Sequence, residues 1–182
     1  MSCLVLGVGN PLMGDDGIGL EALRRLQARW VLPDSVQCVD GGTWGMNLLH
    51  LLEEADAVLI LDAIRARQPP GTLIILERDE LPRLFAHKIS PHQIDLQEIL
   101  ALAELRGGLP DRIAALGVEP GLVELGLGLS APIQSAMPTL ERAVVGRLGD
   151  WGFAPGEQRE ELTPLDGVWR PPPRPVDAQG VA

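Results

Sequence analysis

The hydrophobic positions of this chain fall into two patterns. Short, unbroken aliphatic runs read as strands buried on both faces, and longer stretches with spaced apolar residues read as helices. The first run, Cys3-Leu4-Val5-Leu6-Gly7-Val8, stops at Gly9-Asn10-Pro11. A helix is predicted over residues 16–30, with Ile18, Leu23, Leu26 and Trp30 close to one face. Asp15 or Asp16 can cap its first turn. Pro33-Asp34 breaks the chain, and residues 35–39 form a second strand ending in Asp40-Gly41-Gly42. A helix over 44–53 and a strand over 57–61, ending at Asp62, complete a β-α-β-α-β series. Connections this short predict a parallel sheet covered by helices.

Beyond Asp62 the pattern changes. Only residues 63–70 separate it from the strand-like 71–77, too few for a helical crossover, so that strand is expected to run antiparallel. In Ser90-Pro91-His92-Gln93, serine at the N-cap, proline at the first helical position and glutamine at the third form a capping box. That helix is expected to reach about residue 106 and stop at Gly107-Gly108. A strand over 112–118 and a helix over 135–148 follow. The expected fold is α/β, a three-layer α/β/α sandwich with a mixed, mostly parallel sheet of about five strands, filling residues 1–153. Residues 154–182, with Pro171-Pro172-Pro173-Arg174-Pro175, lack a periodic apolar face and are expected to be a disordered or loosely docked tail.

Composition narrows the function. One domain fits 182 residues, and with 46% apolar residues but only 3% aromatic, its core must be aliphatic. A net charge of −10 with a single lysine, Lys88, argues against a nucleic-acid or anionic-membrane partner. The two cysteines, Cys3 and Cys38, are expected at opposite ends of neighbouring strands, and so as free thiols in a reducing cytoplasm. The first apolar run is short and ends in a glycine turn, unlike a secretory leader, and no run approaches the roughly 18 residues that span a bilayer. A soluble, cytoplasmic monomer is expected.

Ligands of open parallel sheets bind beyond the carboxyl ends of the strands. Three acidic loops should meet there: the turn from Gly7 to Asp16, Asp40-Gly41-Gly42-Thr43, and Asp62. Carboxylates gathered at one edge repel one another unless a cation or a shared proton offsets the charge, so this edge is a candidate metal site. Gly7-Val8-Gly9 suggests a dinucleotide fingerprint, but Leu12 stands where the third glycine belongs, and Asp15-Asp16 is hostile to phosphate. The pair equally suits plain capping of the helix. Asp62, at the end of a buried strand, needs a partner, which a cation or the amides of the next loop would supply. His92 sits in the first turn of a capped helix, where the helix dipole favours the neutral, metal-binding imidazole. In isolation it reads as an exposed histidine, and His50 and His87 have weaker context still. Neither cysteine has a neighbouring base, and no G-x-S-x-G or H-E-x-x-H motif occurs.

Five segments in order resemble the hydrogenase maturation endopeptidases: Gly7 through Asp16, Asp40-Gly41-Gly42-Thr43-Trp44-Gly45-Met46, Asp62-Ala63, Pro70-Gly71-Thr72, and Lys88-Ile89-Ser90-Pro91-His92-Gln93. The resemblance covers roughly residues 2–150. It implies a phosphorylase/hydrolase-like fold and an aspartate-rich, metal-dependent endopeptidase. Its substrate would be the precursor of a nickel–iron hydrogenase large subunit, trimmed of its C-terminal extension after nickel insertion, with the bound nickel as the recognition signal. The family's metal-contacting and catalytic positions fall on Asp16, Asp62 and His92, although some members carry glutamate where this chain has Asp16. Asp40 and Thr43 become candidates for substrate contact. The nickel would arrive with the substrate, since two carboxylates and an imidazole leave positions open for its thiolates. Topology places His92 at this edge only if residues 78–89 cross back to it. A zinc hydrolase using the same triad, a nickel-delivery chaperone and a nucleotide-binding module are the alternatives.

Overall fold

The computed structural model describes residues 1–41, 48–82 and 92–157, with the backbone alone for residues 92–95. Five strands form one sheet in the order β2-β1-β3-β5-β4. They are β1 (Cys3–Gly7), β2 (Val36–Asp40), β3 (Ala57–Ala63), β4 (Leu73–Glu77) and β5 (Arg112–Val118). The helices among the described residues are α1 (Ile18–Arg29), α2 (Leu48–Glu54), α3 (His92–Leu105) and α4 (Ala131–Asp150). β1 pairs in parallel with both β2 and β3, and β3 pairs in parallel with β5. β4 lies antiparallel on β5, as the eight-residue gap requires.

Alternation along the strands splits the core in two. Cys3, Val5, Ala57, Leu59 and Leu61 face α1 and α4, whereas Leu4, Leu6, Val58 and Ile60 face α2 and α3. The sheet is thus the middle of three layers, and β1, β3 and β5 are apolar on both faces because both faces are covered.

Three expectations need correction. Cys38 lies opposite Val5, and Cys3 opposite Val36, so the cysteines are two register positions apart on one face rather than at opposite ends of the sheet. Both are free thiols nonetheless. The last helix begins at Ala131, four residues earlier than predicted, because Ser130 provides the N-cap and Pro132 is tolerated in the first turn. It continues through Pro138, held by a buried row of Ile133, Met137, Leu140, Val144 and Leu148. Neither Asp15 nor Asp16 caps α1. They form a 3-10 turn, Gly14–Gly17, and Gly17 is the N-cap. The predicted tail lies outside the described residues from 158 onward, but Gly156 still donates its N–H to the Val31 carbonyl at 2.7 Å. Among the described residues, no helix is long and apolar enough to cross a membrane.

Candidate active site

The strand order reverses around β1: the chain leaves it through α1 towards β2 on one side, and β3 lies on the other. Loops diverge at such a switch point and leave a crevice at the carboxyl ends of the strands. Gly9 stands at that crevice. The Val8 N–H, one residue earlier, donates to the Leu61 carbonyl of β3 at 2.8 Å. Gly9 has φ +116°, and a Cβ there would collide with the Asp16 carbonyl oxygen and come within 3.8 Å of Asp62 Oδ1. Glycine therefore lets the first loop turn tightly enough to bring Asp16 and Asp62 to one place.

Asp15, Asp16 and Asp62 have no exposed surface, yet they do different work. Asp15 accepts four hydrogen bonds: from Ser130 N–H (2.7 Å) on Oδ1, and from Gly121 N–H (2.9 Å), Leu122 N–H (2.7 Å) and the Ser130 hydroxyl (2.9 Å) on Oδ2. It ties residues 121–130 and the start of α4 to the first loop, and its lone pairs are committed there. Asp16 Oδ2 accepts the Asn10 N–H at 2.8 Å, and Asn10 Oδ1 in turn accepts the Leu12 N–H at 3.0 Å. Asp62 Oδ1 accepts the N–H of Ala63 at 2.8 Å. Strand alternation places Asp62 with Val58 and Ile60 on the face covered by α2 and α3.

His92 is the first residue of α3. The far end of that helix is fixed at the opposite edge of the sheet. Arg78 binds Glu104 at 2.7 Å, and Arg106 binds Glu53 just before β3. Fourteen residues at 1.5 Å each carry the helix about 20 Å back over the sheet, so the His92 backbone lies towards the edge that holds Asp62. Its side chain lies outside the described residues, as do Thr43 and the Ser90 capping box. Asp40 ends β2 opposite Gly7, on the far side of β1 from Asp62.

Sequence reasoning missed Glu119. It follows β5 directly and is buried, and its Oε2 accepts the N–H groups of Ala66 (2.6 Å) and Gln68 (3.0 Å). It thereby fixes the loop that leaves Asp62. The available signal was an acidic residue at the end of an apolar run, the same signal that marked Asp62.

The comparisons with known proteins speak to the family and to the fold. The hydrogenase maturation protease family model matches residues 20–147, a stretch that includes Asp62 and His92 and begins beyond Asp16. The chain belongs to the hydrogenase maturation proteases. It is 40% identical over 146 residues to the hydrogenase 2 maturation protease of Escherichia coli K12, covering 79% of this chain and 89% of that one. It is 36% identical over 170 residues to the hydrogenase expression/formation protein HoxM of Cupriavidus necator, covering 92% and 84%. The structure of the hydrogenase maturating endopeptidase HybD from E. coli superimposes with a TM-score of 0.82 at 37% identity, covering 87% of this chain and 98% of that one.

Among the described residues, no three of the His, Cys, Asp and Glu side chains form a group able to hold a metal ion. Asp16 and Asp62 offer oxygen donors only.

Proposed function

We propose that this protease removes the C-terminal extension from the precursor of a nickel–iron hydrogenase large subunit after nickel insertion, using Asp16 and Asp62, and that His92 joins them. The observation that carries the reading is that the Asp16 backbone and Asp62 Oδ1 both crowd Gly9 at the switch-point crevice, with both aspartates buried. The relatives' association with hydrogenase maturation supports the substrate class. Nickel would enter as part of the substrate, bound by the client's thiolates, and Asp16, Asp62 and His92 are the residues that would supply the remaining donors. Bound there, it would polarise the scissile carbonyl.

Amide hydrolysis needs a base and a route for one proton. A water molecule adds to the carbonyl carbon as one aspartate takes its proton. The C–N bond then breaks, and the proton passes to the departing amine. Burial suits this work, because a carboxylate away from bulk solvent is held still by its hydrogen bonds. Asn10 N–H fixes Asp16 and Ala63 N–H fixes Asp62, each through one oxygen. Asp40 and Thr43 are assigned to substrate contact on the loop after β2. The protease is proposed to act as a cytoplasmic monomer, where its free thiols would persist.

The test is to incubate the purified protein with nickel-loaded large-subunit precursor and weigh the products. Loss of one C-terminal peptide supports the reading. An unchanged precursor mass, with the protease folded and in excess, overturns it.

A further inference from the structure

Four of the eight large hydrophobic residues exposed among the described ones lie in two loops bonded to each other: Leu12 (55% exposed), Leu122 (50%), Leu125 (83%) and Leu127 (84%). Exposed leucines scattered singly need no explanation, but a contiguous apolar patch does. Contiguity here follows from the backbone. The Leu12 carbonyl accepts the Gly126 N–H at 2.9 Å, and the Gly126 carbonyl accepts the Gly14 N–H at 3.0 Å. Met13 and Gly126 thus form a parallel bridge, which sets Leu12 alongside Leu125 on one face, with Leu127 following on the same face. The Leu122 carbonyl accepts the Asp15 N–H at 2.9 Å, which brings the fourth leucine to the same loop.

The patch is continuous with the proposed active site. Leu12 is joined to Asp16 through Asn10 alone, since Leu12 N–H binds Asn10 Oδ1 and Asn10 N–H binds Asp16 Oδ2. The strap that carries the other three leucines is anchored by Asp15, the residue next to Asp16. Between Pro120 and Ser130 the only charged residue is Glu124, so the strap is built for apolar rather than ionic contact. A protein whose extension reaches Asp16 must set its folded body against the rim of that crevice, and among the described residues these leucines stand exposed beside it.

We infer that Leu12, Leu122, Leu125 and Leu127 form the docking surface for the folded body of the large-subunit precursor, binding an apolar face beside its emerging C-terminal extension. This rests on the proposed function for the identity of the partner. The patch supplies affinity, while the buried carboxylates supply chemistry, so the two separate experimentally.

Binding of the precursor is measured with Asp62→Ala protease as the parent, so that cleavage does not consume the complex. The paired change Leu125→Ser with Leu127→Ser removes no buried packing and should leave the circular dichroism spectrum and melting temperature unchanged. It is expected to weaken the precursor Kd by about tenfold or more, as truncated interface anchors do. The pair Leu125→Met with Leu127→Met keeps the apolar surface and should bind within about twofold of the parent. In the cleavage-competent protein, the serine pair should raise KM and leave single-turnover cleavage at saturating precursor unchanged. An unchanged Kd for the serine pair overturns the inference. So does loss of protease self-association in ultracentrifugation with precursor binding intact, which would make the patch a contact between copies of this chain. If the wild-type protein binds precursor through these leucines but never shortens it, the docking surface stands and the peptidase reading fails.

Discussion

Asp15 is bound to Ser130 twice, by the backbone N–H at 2.7 Å on Oδ1 and by the hydroxyl at 2.9 Å on Oδ2. The hydroxyl is consequently spent on Asp15 and makes no cap bond to α4. One carboxylate thus joins the first loop to the last helix across 115 residues of sequence. Its neighbour Asp16 bonds within the first loop instead, accepting the Asn10 N–H at 2.8 Å.

This division predicts different fates for the two aspartates. Asp15→Ala strands three part-buried N–H groups and a hydroxyl, each costing up to roughly 1–3 kcal/mol when left bare. Water entering the gap will satisfy some of them, so a net loss of about 3 kcal/mol is expected, read as a fall of several degrees in melting temperature. Asp16→Asn and Asp62→Asn keep the side-chain size and should melt near the wild type, yet lose about 10²-fold or more in cleavage of the precursor. Thermal melts and single-turnover assays on the three variants check the split. Asp15→Ala melting with the wild type would contradict it.

Gly9 should tolerate no side chain. Gly9→Ala demands φ +116° of an alanine and drives its methyl into the Asp16 carbonyl. Any backbone shift that relieves the clash separates Asp16 from Asp62, and a displacement near 1 Å is worth about 10²-fold in rate. The expected variant is less stable and slower even at temperatures where circular dichroism shows it folded. Wild-type kinetics in Gly9→Ala would mean that cleavage does not depend on the close approach of the Asp16 backbone and Asp62 at Gly9.

Burial pushes the Cys3 thiol up to about 12 from a usual 9.0. Cys38 is pushed up to about 12 as well, chiefly by burial and secondarily by Cys3 beside it. In the folded chain both hold their protons between pH 9 and 12, while the unfolded chain releases them. The unfolded state therefore binds fewer protons there, and stability falls as pH rises through that window. Denaturant midpoints at pH 8 and pH 10.5 should show this loss, and Cys3→Ala combined with Cys38→Ala should reduce its slope. Native Cys3, only 1% exposed, should also resist a thiol reagent at pH 8 until the protein is unfolded.

The sheet was largely legible because strand burial and loop length are local. Residues 112–118 form β5 as predicted, and the short gap after Asp62 correctly implied an antiparallel β4. Register was not legible. The apolar run of β2 does not state which residue lies opposite Cys3, and misjudging that put the cysteines at opposite ends of the sheet. The start of α4 was obscured because Pro132 and Pro138 argue locally against a helix that a buried apolar row sustains. At the site, sequence brought Asp16 and Asp62 to one edge through topology. Without the family resemblance it could not tell Asp15 from Asp16, since what distinguishes them are bonds to residues more than a hundred positions away. Glu119 escaped for the same reason, because the amides it holds lie some fifty residues earlier.

The central claim is that Asp16, Asp62 and His92 act on a client that brings its own nickel. The direct measurement is intact-mass analysis of large-subunit precursor, with and without nickel, after incubation with protease whose own metal content has been determined. The account predicts a protease nearly free of metal that shortens only the nickel-loaded precursor, with no rescue of the metal-free precursor by nickel given to the protease. Efficient shortening of nickel-free precursor, or a stoichiometric metal carried by the protease itself, would contradict it.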